Sequence, residues 1–133
     1  MQVRTKAQFL KTKEITFPAD PEYGETEDTV FTIKRATNAE DVQRANLFSK
    51  VRFVYDADGY STERDYPEGD MQMETIRLCL VDWNLCDEKG NKLPVTVPNM
   101  NTWLKATERK KLYSEILDFN PTWKYGRDEE KND

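Results

Sequence analysis

The chain contains no histidine, two cysteines and five glycines among its 133 residues. Each scarcity removes a class of chemistry. A nucleophilic triad needs a positioned base, most often histidine. Two cysteines without histidine do not fill a tetrahedral zinc site unless carboxylates or a second chain help. Five glycines leave no glycine-rich phosphate loop. No apolar run reaches the roughly 18 residues that a membrane-spanning helix needs. Positive charge is also in deficit, with a formal net charge of -5. Broad binding to a nucleic-acid backbone needs clustered Lys and Arg. The one basic cluster, Arg109-Lys110-Lys111, has Glu108 and Glu115 nearby and reads as a solvated helix face. The expectation is a protein with no catalytic residues, metal, cofactor, membrane contact or nucleic-acid partner. Met1 to Glu14 carries Arg4, Lys6, Lys11 and Lys13 without a continuous apolar core, so it does not read as a signal peptide. The expected location is the cytoplasm.

What is present suits a folded domain. Charged residues make up 34 % and hydrophobic residues 37 %, and aromatics reach 11 %, too many for a disordered chain. At this length one domain buries about two-thirds of its unfolded surface, enough for a core without staples. The two cysteines, Cys79 and Cys86, are expected as reduced thiols, one of them in that core.

The pattern along the chain predicts a single α+β domain over residues 29–123. It consists of N-terminal strand material and a β-hairpin packed with about three helices. Residues 1–28 read as an extended or mobile arm, although Phe9, Leu10, Ile15 and Phe17 hint at a strand or two. Thr29 to Lys34 alternates and is rich in β-branched residues, as a strand requires. Thr37 with Glu40 makes a capping-box pattern for a helix to about Lys50. Its expected buried stripe is Val42, Ala45 and Leu47 or Phe48. Residues 51–66, with Asp58-Gly59 between alternating runs, read as a hairpin, with a flexible excursion between two helices as the alternative. Met73, Ile76, Leu80 and Trp83 fall at helical spacing, predicting a central helix over about residues 71–85. Pro94 and Pro98 should hold Leu93 to Val97 extended. A last helix is expected over about residues 102–119, with Leu104, Leu112, Ile116 and Phe119 as its stripe and Asn120-Pro121 as its stop. The polar Glu108 interrupts that stripe. Residues 124–133 read as a disordered charged tail.

Candidate chemistry is sparse. Asp56-Ala-Asp58-Gly59 fails as a calcium loop, because glycine comes fourth instead of sixth and the twelfth residue is Pro67. Asp82 and Asp87 flank Trp83, but isolated acids read as caps or solvated side chains. The tryptophans carry more information, because this residue is enriched both in cores and at interface hot spots. Trp83 reads as core. Trp103 and Trp123 lie at helix edges and, with Tyr113 and Phe119, are the candidate partner-binding residues.

Several soft motifs are similar to those of a known family. Thr32-Ile-Lys-Arg-Ala-Thr37 running into a helix resembles the start of many phage tail assembly chaperones. Glu74-Thr-Ile-Arg-Leu-Cys-Leu-Val-Asp-Trp-Asn-Leu85, then Asp87-Glu-Lys-Gly-Asn-Lys-Leu-Pro-Val95, looks like their central helix and the loop after it. The closing helix ending in Asn120-Pro121 is similar too. The resemblance spans about residues 30–123. It implies a non-enzymatic chaperone in the host bacterial cytoplasm. Such a protein binds the largely helical tape measure protein until tail-tube protein displaces it, and self-association is left open. The family has no catalytic residues to carry over. Three other readings stand beside it: a small virion component (a head–tail connector or tail-completion protein), a protein inhibitor of a host defence system, or a minor hydrolase using carboxylates.

Overall fold

A computed structural model of the chain describes residues 1–48, 52–55, 57, 61–65 and 68–123. For Phe48 and for residues 52–55 and 61–65 it describes the backbone alone. The fold is α+β. A short helix α1 (Lys6–Phe9) leads into β1 (Thr12–Phe17), and a 3-10 turn at Pro21–Tyr23 separates it from β2 (Thr29–Lys34). Helix α2 (Asn38–Phe48) follows, then β3 (Arg52–Tyr55), β4 (Ser61–Asp65) and α3 (Glu68–Cys79). The chain continues through β5 (Leu80–Trp83), α4 (Val97–Trp103) and α5 (Ala106–Phe119).

β1, β2 and β5 form a three-stranded antiparallel sheet with β2 in the centre. Alternation sorts its side chains. Ile15, Phe31, Ile33, Leu80 and Trp83 are buried against α3, α4 and α5, whereas Glu14, Thr16 and Asp82 face water. Phe31 is the hub, with Phe17 edge-on at 5.6 Å and Trp83 at 6.4 Å. From the helices, Ile76, Leu112 and Ile116 complete the core with no exposed surface.

β1 lies inside the stretch read as an arm. All six of its residues are in register with β2, from Thr12 opposite Lys34 to Phe17 opposite Thr29. The arm reading therefore gives way there to the strand that Ile15 and Phe17 hint at. The 3-10 turn is also tied down, since Asp20 N–H donates to Glu25 at 2.9 Å and the Glu25 carboxylate holds Lys105 at 3.0 Å. β3 and β4 pair antiparallel as a hairpin requires, with Asp58-Gly59 outside the described residues. The tail expected at 124–133 also lies outside them.

The central helix stops at Cys79, and Leu80–Trp83 is a strand. The helical spacing of Leu80 and Trp83 has another cause. Residues three apart on a regular strand face opposite ways. Here Ile33 pairs with Leu80 and Thr32 with Asp82, so Val81 is one residue extra on β5. That bulge returns Leu80 and Trp83 to the same buried face and leaves Val81 in solvent.

The last helix is two helices. Thr96 caps α4, with Pro98 in its first turn where a missing N–H costs nothing. Val97 thus starts a helix instead of ending an extended run, and Trp103 ends that helix. Leu104 and Lys105 are extended, and α5 restarts at Ala106. Glu108 interrupts the apolar stripe because it is a cap. Its carboxylate accepts the Lys105 N–H at 2.9 Å while only 3 % of the residue is exposed.

Candidate protein-binding surface

The four candidate residues are split between core and surface. Tyr113 and Trp123 are buried, Phe119 is half-buried under the Arg35 guanidinium at 5.1 Å, and Trp103 is 54 % exposed. They therefore do not share one solvent-facing patch.

Trp123 belongs to a helical turn at 121–123 that folds back onto α2. Its Nε1–H donates to an Asp41 carboxylate oxygen, and the Arg44 guanidinium lies 4.5 Å over its ring. Arg44 Nε in turn donates to Thr75 Oγ1 on α3 at 2.9 Å. This corrects the stripe expected for α2. Val42 is 49 % exposed and Ala45 is exposed, whereas Arg44 is buried. Its long stem and planar head let a charged residue pack inward when a ring and a hydroxyl receive it. The capping box is formed as the spacing predicts. Glu40 N–H donates to Thr37 Oγ1 at 3.3 Å, and Thr37 N–H donates to the Glu40 carboxylate at 2.9 Å. Burial alone would raise the Glu40 carboxyl. The bonds from Lys34 and Thr37 outweigh it and hold the group below its usual value.

The apolar surface that sequence reasoning missed lies between α2, α3 and α4. Leu47 of α2, Met73 of α3, and Val97 and Met100 of α4 line an open groove of about 350 Å³. That is more than twice the roughly 150 Å³ that accepts a benzene-sized group. Asp70, Glu74 and Arg77 of α3 and Asn101 of α4 form its polar margin. Asp70, Met73, Glu74 and Arg77 follow i, i+3, i+4, i+7 spacing, so one face of α3 makes one wall. Val97, Met100 and Asn101 do the same for α4. Arg77 is fixed on the rim by bonds to Glu74 at 3.0 Å and Gln43 at 2.9 Å. The signal was in the sequence, in the spacing of Val97 and Met100, but it shows only once α4 is separated from α5.

Asp87 accepts the N–H groups of Lys89 and Asn91 at 2.9 Å, closing a turn in which Gly90 takes a φ of 82°. Asp82 pairs with Lys92. Cys79 and Cys86 are free thiols, the first buried and the second exposed, and burial pushes the Cys79 thiol up to about 12. Among the described residues no three His, Cys, Asp or Glu side chains converge as metal ligands would, and no helix is long and apolar enough to cross a membrane. No protein-family model, curated protein or solved structure matches the chain.

Proposed function

We propose that this protein is a non-enzymatic binding protein that takes up an amphipathic helix, and that it serves phage tail assembly as a chaperone of the tape measure protein. The groove between α3 and α4 carries the reading. Two helix faces frame an apolar floor with charged margins, the arrangement that receives one face of a third helix. Trp103, exposed at the end of the helix that forms one wall, offers a partner an aromatic contact of its own. The resemblance of residues 30–123 to tail assembly chaperones supplies the client. Reversible binding suits a groove that is open and only partly apolar, because the client must pass to tail-tube protein later.

The test is binding of helical tape-measure fragments to the parent, to Trp103→Ala and to Met73→Glu. Trp103→Ala should stay folded, and because Met73 also packs against the core, the melting temperature of Met73→Glu is read beside its binding. Met73→Glu, which puts a charge on the α3 wall of the groove, should abolish binding, and Trp103→Ala should weaken it by about tenfold or more, the loss expected of an interface tryptophan. Parent-like binding by Met73→Glu removes the groove from the function. Failure of every fragment to bind the parent removes the chaperone assignment, leaving the virion-component and inhibitor readings.

A further inference from the structure

We infer that the turn carrying Trp123 is a latch that sets the position of α2 and, through it, the Leu47 wall of the groove. The inference deepens the function proposed above, since it concerns regulation of the same groove. Three observations support it independently.

First, the described side chains of α2, at positions 38–47, give it little apolar anchoring. Of its side chains at positions 38–47, Arg44 alone is buried, and Val42 is half in water. Among the described residues, polar bonds tie it down: Glu40 to Lys34, Gln43 to Arg77, and Arg44 to Thr75. An element held this way opens at lower cost than one held by a core stripe.

Second, the C-terminal turn grips α2 at both ends of its first half. Asn120 Oδ1 accepts the Ala36 N–H at 2.9 Å, just before the helix begins. Trp123 then engages Asp41 through its N–H and Arg44 through its ring face. Asn120 also donates to the Ile116 carbonyl at 2.9 Å, so the turn is itself fixed to α5. Trp123 is thus a bridge between α5 and α2.

Third, α2 reaches the groove. Leu47 lies one turn beyond Arg44, and among the described residues it is what α2 contributes to the groove lining. A shift of α2 therefore widens or narrows the groove without disturbing the sheet. Trp123 and Arg44 are positioning residues in this scheme.

The experiment uses the full chain and no client, so it stands or falls separately from the groove's function. Trp123→Phe keeps a smaller aromatic face and removes the N–H, and Asp41→Asn keeps the shape and removes the charge. Amide hydrogen exchange is read by mass spectrometry, and the Met73 methyl is read by NMR with Met71 as the core reference. The latch predicts that residues 38–47 lose protection by about tenfold while β2 and α5 keep theirs. It also predicts that the Met73 methyl resonance moves while that of Met71 holds. Unchanged exchange in α2 overturns the proposal. So does a uniform loss across β2, α3 and α5, which would make Trp123 an ordinary core side chain. If α2 loosens as expected but no helical fragment binds the parent, the latch stands and the groove's assigned function falls.

Discussion

Replacing Glu108 separates the value of a hydrogen bond from the cost of a buried charge. Its carboxylate accepts the Lys105 N–H at 2.9 Å at the start of α5, in a position only 3 % exposed. Burial raises the Glu108 carboxyl above its usual value. The Lys105 N–H and ammonium counter this only in part, and Glu25 adds to it. Glu108→Ala removes the acceptor. Loss of a cap costs about 0.5–2 kcal/mol, and a buried orphan donor costs about 1–3 kcal/mol. These describe the same event, so the expected loss is about 1–3 kcal/mol. Glu108→Gln keeps an acceptor at the same reach and drops the charge. Because the raised value says that the charged form is disfavoured inside, the Gln variant should match or exceed the parent at pH 7. The pH sign follows. A group whose folded pKa is raised contributes stability below its unfolded value, about 4.3, and that contribution is lost as pH rises through the folded value. The gap between Gln variant and parent should therefore shrink as pH falls toward 4. Urea denaturation of the three proteins at pH 7 and pH 4.5 reads all of this. A Gln variant as unstable as Ala at pH 7 would refute the argument, showing that the ionic attraction to Lys105 outweighs burial.

Three further outcomes follow from burial and chemistry. Ile76→Ala, at a fully buried position, should cost about 2–5 kcal/mol, whereas Val42→Ala on the open face of α2 should stay within about 0.5 kcal/mol; equal costs would mean that α2 is packed inward after all. Iodoacetamide on the native protein at neutral pH should give one adduct, on the exposed Cys86, and reach Cys79 only after denaturation. Calcium or a chelator should leave Tm unchanged, because Asp56-Ala-Asp58-Gly59 lacks a calcium loop's spacing; a rise of several degrees with calcium would mark a native-state site.

The parts of the fold legible from sequence are those where a local rule acts alone. The β2 alternation and the Thr37–Glu40 capping box depend on neighbours in sequence, and both are formed. The misread parts are those where a tertiary event imitates a local pattern. Leu80 and Trp83 look helical because a bulge opposite β2 gives a strand the same spacing. Val42 looks like core because it is apolar, yet the inward position goes to Arg44, which an indole and a threonine hydroxyl from distant segments make suitable. Glu108 looks like a flaw in one long helix until the chain is seen to break at Leu104–Lys105. That same merger hides the groove in the sequence, where its α4 wall reads as connecting chain and helix start.

α3 passes into β5 with no intervening residue, Cys79 ending one and Leu80 beginning the other. That seam has no slack. One inserted residue would either turn the α3 face by about 100° or send Leu80 and Trp83 to the wet side of the sheet. Either change would unseat the aromatic row around Phe31. The turn between Cys86 and Lys92 lies on the surface and is closed by Asp87, so extra length can be absorbed there. In evolution the 68–83 segment should behave as one indivisible unit, with gains and losses of residues displaced to that turn.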